Sequence, residues 1–180
     1  PNQLEIKYRG SLAKLDTSLL RLCFLKGFLQ AAHDHASYVN ADQLAESVGL
    51  HVAEDTDPGF TDYESAFKCC FKLKGKQFTI GGVVFSGPHP RITLINDFVC
   101  ELEASGTMLV TTNSDKPGMI GVIGVCLGKH QININQFELG RNVRGGEAMA
   151  VISVDQDISK DILDELISND GIISVRKIVL

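Results

Sequence analysis

The chain has no tryptophan, five prolines and five cysteines in 180 residues, and aromatic residues make up only 7% of it. Its cysteines, Cys23, Cys69, Cys70, Cys100 and Cys126, are odd in number and show no C-x-x-C spacing. That argues against a disulfide framework and against a zinc site, and makes a reducing cytoplasm the expected compartment. No apolar run approaches the roughly 20 residues that span a bilayer, and no charged-then-apolar leader opens the sequence. A basic excess is also missing: residues 1–104 carry ten basic and thirteen acidic side chains, residues 105–180 seven and nine, for a net charge of -5. Neither a nucleic acid nor a membrane is an expected partner. No G-x-G-x-x-G follows a strand pattern, and Gly118-x-x-Gly121-x-x-Gly124 has the wrong spacing for a dinucleotide fingerprint.

What remains is an ordinary globular composition, 44% hydrophobic and 22% charged, enough for one domain or two small ones. Pro1 is not a natural start residue, so the chain reads as a fragment or a processed piece. Leu4, Ile6 and Tyr8 alternate with charged residues as a half-buried strand does. Asp16 or Thr17 then caps a helix whose apolar positions, Leu19, Leu20, Cys23, Phe24, Gly27 and Phe28, recur at three and four, ending near His33. Asn40 with Gln43 resembles a capping box for a short helix that stops at Gly49. Three or four strands follow, with a hairpin turn at Lys74-Gly75-Lys76 and a bend at Ser86-Gly87-Pro88.

Ala104-Ser105-Gly106 is a short joint, which divides the sequence into domains 1–104 and 105–180. Beyond it the pattern predicts strand 107–113, helix 117–130, strand 131–139, a turn at Gly145-Gly146, strand 147–154, helix 159–168 and strand 171–179. The fold class is therefore α+β. The second domain reads as a ferredoxin-like βαββαβ unit, with a four-stranded antiparallel sheet and two helices on one face.

The richest stretch is Asn113-Ser114-Asp115-Lys116-Pro117-Gly118, leaving an apolar strand and entering an apolar helix. Pro117 suits a helix's first turn, and the helix N-terminus offers unpaired amides that hold a carboxylate. An acidic side chain beside it holds an ammonium, so the pair suits a free amino acid. Gly118, Gly121, Gly124 and Gly128 share one side of the helix at a cost of about 1 kcal/mol each against alanine. Tight packing on the sheet is the expectation for Gly124 and Gly128, and ligand access for Gly118 and Gly121.

Asn113-x-Asp115-Lys116-Pro117-Gly118, Gly124 and Ile132-Asn133-Ile134 resemble the ACT family of amino-acid-binding modules. Gly140-Arg141, Gly145-Gly146-Glu147-Ala148 and Val151-x-Ser153-Val154-Asp155 narrow the resemblance to the ACT modules that close the D-3-phosphoglycerate dehydrogenases. The first half is similar to the intervening, allosteric substrate-binding domain of the same enzymes. The matching pieces are Gly10-x-Leu12-Ala13-x-Leu15-Asp16-Thr17, Leu25-Lys26-Gly27, Tyr38-Val39-Asn40-Ala41, Leu44-Ala45 with Gly49, and Gly82-x-Val84-Phe85 leading to Pro90-Arg91-Ile92 and Ile95-Asn96. Iron-sulfur L-serine dehydratases carry a related first domain, but their serine- and histidine-rich catalytic motif is missing.

The resemblance implies a regulatory C-terminus whose NAD and substrate domains lie elsewhere, with no cofactor in this chain. It implies L-serine as effector, contacted by Asn113, Asp115 and Asn133 at a homodimer interface within a tetrameric enzyme, and the chemistry of the helix start adds the amides around Met119 and Ile120 for the carboxylate. The competing reading makes Asp115 a helix cap and Asn133 a satisfier of backbone groups. Arg91 is the implied cation of a phosphate-binding site in the first domain, with Arg21 and Lys26 as nearby candidates on the first helix, although Glu103 stands where a relative has arginine. An assembly module without effector, or a dehydratase fragment, are the alternatives. His33 and His35 are two apart and make a poor metal pair, and His130 complements a helix C-terminus. No constellation of residues reads as an active site.

Overall fold

The structure is a computed structural model that describes residues 2–59, 63–73, 75–85 and 89–180. The chain clusters into two compact units, residues 1–91 and 92–180. The division comes ahead of the joint expected at 104–106.

In the first unit the alternating residues of β1 (Asn2–Gly10) put Leu4, Ile6 and Tyr8 into the core at 0% exposure. Helices α1 (Ser18–Gln30) and α2 (Ala41–Ser47) then return the chain to β2 (Leu50–Asp57), which runs parallel to β1 from Asn2 opposite Leu50 to Arg9 opposite Asp57. A parallel pair needs such a crossover. Strands β3 (Ser65–Leu73) and β4 (Lys76–Phe85) continue antiparallel, giving the order β2-β1-β3-β4. Leu25 and Leu29 of α1, with Ala41 and Ala45 of α2, close the core over the sheet. Phe24 meets Phe67 at 5.0 Å between ring centres and Phe28 stacks on Phe71 at 4.7 Å. Each large apolar side chain so buried contributes about 1.5–3 kcal/mol.

Thr17 is the N-cap residue of α1, with no side-chain capping bond, while Asp16 Oδ1 accepts from the Ser18 amide at 3.0 Å. The capping box at Asn40 does not form, because Asn40 Oδ1 already accepts from the Ser37 amide at 2.8 Å and the Ser37 hydroxyl at 3.0 Å. Gly75 sits in the β3–β4 turn with φ 79°, whereas Lys74 and the bend expected at 86–88 lie outside the described residues.

The second unit holds β5 (His89–Ile95, from Ile92 on), β6 (Phe98–Leu102), β7 (Thr107–Ser114), α3 (Met119–Lys129), β8 (Ile134–Arg141), β9 (Glu147–Val154), α4 (Lys160–Ile167) and β10 (Ile172–Val179). Strands β7 to β10 form an antiparallel sheet in the order β10-β7-β9-β8, so the unit is the expected βαββαβ arrangement with β8 and β10 at its edges. One face carries α3 and α4 over Leu109, Ile123, Leu127, Ile152, Ile158 and Leu166. On the other face Met108, Met149 and Val151 are covered by Phe98, Cys100 and Leu102 of β6. That second core is why β6 belongs with the residues after the joint rather than before it.

Candidate functional site

Alternation along β7 sends Leu109, Thr111 and Asn113 to the helix side, where they are 0%, 0% and 2% exposed. Asn113 faces Ala148 across β9, and the small partner leaves room beside it. Its Nδ2 donates to the Ser114 carbonyl at 2.8 Å, but its Oδ1 is buried with no protein donor. An unpaired buried oxygen costs about 1–3 kcal/mol.

After β7 the chain is pinned twice: the Ser114 amide donates to the Gly171 carbonyl at 2.8 Å and the Asp115 amide to the Gly146 carbonyl at 2.9 Å. Gly118 then turns with φ 95° and is the N-cap of α3. Pro117 therefore precedes the helix instead of occupying its first turn, a correction to the sequence expectation. The first helical hydrogen bond runs from the Val122 amide to the Gly118 carbonyl, so the amides of residues 119–121 point out of the helix end.

Those amides meet Asn113 at a cleft of about 210 Å³. Asn113, Asp115, Gly118, Met119 and Ile120 form its polar and backbone side, and Phe137, Leu139 and Ala148 its apolar wall. Phe137 and Leu139 lie outside the sequence expectations for the site, and Ala148 entered them only within a matching motif. The two-residue period of β8, which puts 137, 139 and 141 on the helix side, is the signal that could have found them.

Asp115 does not cap α3. Its Oδ2 accepts from the Gly145 amide at 2.9 Å and lies 3.5 Å from Arg141 Nη1, which ties the start of the cleft to the β8–β9 turn. Asn133 is not brought to this cleft. It precedes β8, at the strand's other end, where its Nδ2 donates to Asp155 Oδ2 at 2.6 Å and its amide to Gln156 Oε1 at 2.7 Å. Gly124 and Gly128 differ from expectation: a Cβ built on either meets nothing within 4 Å, as at Gly121, which lines the cleft. Their side of α3 is open, so tight packing on the sheet is not what they serve.

In the first unit Arg21 is engaged by acids, with Nη2 2.9 Å from Asp42 Oδ2 and Nε 3.6 Å from Glu54 Oε1. The depression beside it is lined by Asp42 and Glu46, which opposes an anion. Lys26 Nζ lies 4.6 Å from the Tyr38 ring centre, and Arg91 Nη1 donates to the Pro90 carbonyl at 3.1 Å. The rings of His33 and His35 meet edge to face at 5.9 Å. Burial pushes the Cys69 thiol up to about 12, away from nucleophilic use at neutral pH. No helix among the described residues is long and apolar enough to cross a membrane.

Residues 2–96 match the family described as the D-3-phosphoglycerate dehydrogenase intervening domain. Relatives named D-3-phosphoglycerate dehydrogenase include one from Bacillus subtilis (strain 168), 32% identical over 97% of this chain and 34% of that protein. Those from Synechocystis and Methanocaldococcus jannaschii are 30% and 28% identical over 95% and 92% of this chain, and each match covers 31% of the relative. Among solved structures, the ACT domain from GTP pyrophosphokinase of Chlorobium tepidum aligns with 41% of this chain and 97% of its own, at 19% identity and a TM-score of 0.35. This chain spans about a third of the length of the relatives it matches. It belongs to the D-3-phosphoglycerate dehydrogenase intervening-domain family.

Proposed function

We propose that residues 105–180 bind L-serine as an ACT-type effector domain, and that the chain is the regulatory part of a longer D-3-phosphoglycerate dehydrogenase. The observation that carries the reading is Asn113: a buried oxygen without a donor, opening on a cleft that also receives free helix amides. A zwitterionic amino acid answers both. Its carboxylate takes the amides at residues 119–121, and its ammonium or hydroxyl donates to Asn113 Oδ1. Asp115 gives one oxygen to Gly145, and the second is the one a ligand ammonium would meet. At about 210 Å³ the cleft falls below the roughly 300 Å³ where drug-sized pockets begin, which suits an amino acid.

Serine fits the family, whose named activity stands at the head of serine synthesis from 3-phosphoglycerate. In this reading NAD-dependent oxidation belongs to the remainder of the enzyme, in the cytoplasm, and this chain supplies feedback. Edge strand β8 supports a homodimer, since an open edge invites pairing. Antiparallel pairing of two β8 edges would carry the start of one strand, where Asn133 lies, toward the end of the other, near the Arg141–Asp115 contact. Serine would then bridge two subunits of a tetramer. Regulation follows if serine binds one subunit arrangement better than another.

Isothermal titration with L-serine tests this, with glycine, L-alanine and a phosphate-bearing substrate analogue as controls. Saturable, serine-preferring heat with one site per ACT domain or per dimer is the expected result. Silence from a chain that sedimentation shows to be dimeric would overturn effector binding and leave an assembly module.

A further inference from the structure

Away from the cleft, the C-terminal turns of α3 and α4 bring three different donor types together. Cys126 and His130 are four residues apart and so share one side of α3. Glu165 reaches them from α4: Oε2 lies 2.8 Å from His130 Nε2, and one ligand atom from each of Cys126, His130 and Glu165 lies within 4.8 Å of the other two. Among the described residues this is the one such His, Cys and carboxylate group. The sulfur is buried, while the imidazole and carboxylate are about a third exposed, at 30% and 34%. Cys126, Lys129, Glu165 and Asn169 line a groove of about 300 Å³, which brings solvent to the group.

We propose that Cys126, His130 and Glu165 bind one zinc-like divalent cation, with water from the groove as fourth ligand. A thiolate, an imidazole and a carboxylate are the borderline donor set that favours zinc or cobalt over magnesium or calcium. Tetrahedral bond lengths of about 2.0–2.3 Å keep ligand atoms a little over 3 Å apart, so the His130–Glu165 pair opens slightly and Cys126 closes in. Lys129 does not compete for the same atom. Its Nζ holds Glu165 Oε1 at 2.9 Å, leaving Oε2 to the metal and orienting the carboxylate. Burial holds the free Cys126 thiol protonated, so coordination releases its proton to solvent, and His130 adopts the tautomer with its proton on Nδ1. No oxidation state changes. The bound ion would join α3 to α4 through groups that bear no part in the effector cleft.

Cysteine spacing did not point here because the ligands come from two helices and only one is a cysteine. The test is titration of the metal-free chain with zinc by calorimetry and with cobalt by absorbance. One zinc per chain is expected, with about one proton released in a buffer-dependent heat. Cobalt should give a thiolate-to-metal charge-transfer band that is lost in Cys126→Ser. His130→Gln and Glu165→Gln change accessible side chains and should each weaken zinc at least ten-fold with an unaltered circular dichroism spectrum, so the result does not depend on Cys126→Ser folding. The proposal is overturned if zinc does not saturate near one per chain, if cobalt gives no such band, or if both accessible variants bind zinc as well as the parent.

Discussion

The Gly145 amide donates a 2.9 Å hydrogen bond to the Asp115 carboxylate, joining the end of β7 to a turn thirty residues later. Gly145 holds φ 75°, so the turn presents its amide in a conformation few other residues adopt. Asp115→Ala should therefore cost on the order of 1–2 kcal/mol, mostly for the hydrogen bond to a charged acceptor. The exposed Arg141 at 3.5 Å adds little. Hydrogen exchange at the Gly145 amide should quicken while amides in β9 stay protected. Unchanged exchange at Gly145 would show that the carboxylate does not hold the turn.

Asn113 predicts a separation between stability and binding. Asn113→Leu keeps a similar shape and removes the oxygen that has no donor, at the loss of the Nδ2 bond to the Ser114 carbonyl. Replacing a half-satisfied buried amide by an apolar side chain should leave the free protein as stable as before, or raise its melting temperature. Serine heat should disappear in the same variant. A variant that melts much lower would mean that the asparagine serves the fold instead of a ligand.

How much of this was legible follows from which interactions are local. Alternation in Leu4, Ile6 and Tyr8 and the three-four stripe of α4 were readable because burial repeats with the geometry of one element. The polar side of the cleft lies in one local segment, since Asn113 to Ile120 runs without interruption from the end of β7 into the start of α3. The cleft's apolar wall was not readable, because Phe137 and Leu139 arrive through sheet pairing with β9. The parallel pairing of β1 and β2 and the covering of Met149 by β6 likewise depend on residues far apart in the chain. Asn40 shows a different failure: its neighbour Ser37 competed for the oxygen that a capping box needs.

Thiol reactivity should sort by burial. Cys23 is exposed, whereas Cys69 and Cys100 are buried and their thiols are pushed up, chiefly by that burial, to about 12 and about 11. At neutral pH a charged alkylating reagent should modify Cys23 rapidly and reach Cys69 and Cys100 only as the protein unfolds. Mass spectrometry of peptides after timed labelling reads this directly. Labelling of Cys69 at the rate of Cys23 would contradict the packing of β1 against β3.

The acid limb of stability should respond to Asp157. Lys177 donates to its carboxylate at 2.9 Å, and that bond, followed by the Ile158 amide, holds the group below its ordinary value of 3.8. A carboxyl depressed in the folded state stabilises fully above its unfolded value and loses that contribution as pH falls through the folded one. Asp157→Asn should therefore flatten melting temperature against pH below about pH 4, with a small effect at neutral pH because the pair is exposed. Parallel curves for both proteins across that window would exclude a contribution from the pair.

The same substitution should act with opposite sign at two glycines. Gly140 faces β6, and a Cβ there would stand 2.8 Å from the Val99 carbonyl oxygen and 3.3 Å from Phe98 Cβ. Backbone cannot yield as a flexible side chain does, so Gly140→Ala should destabilise by about 1–3 kcal/mol. Gly124 lies inside α3 and its Cβ would meet nothing within 4 Å. Gly124→Ala should stabilise by about 0.5–1 kcal/mol, through helix propensity and a less flexible unfolded chain. Denaturant midpoints of the two variants separate the causes. A loss at Gly124 would mean that the open side of α3 is occupied in solution, as a helix from a second subunit would occupy it, and a neutral Gly140→Ala would mean that β6 does not lie against β8.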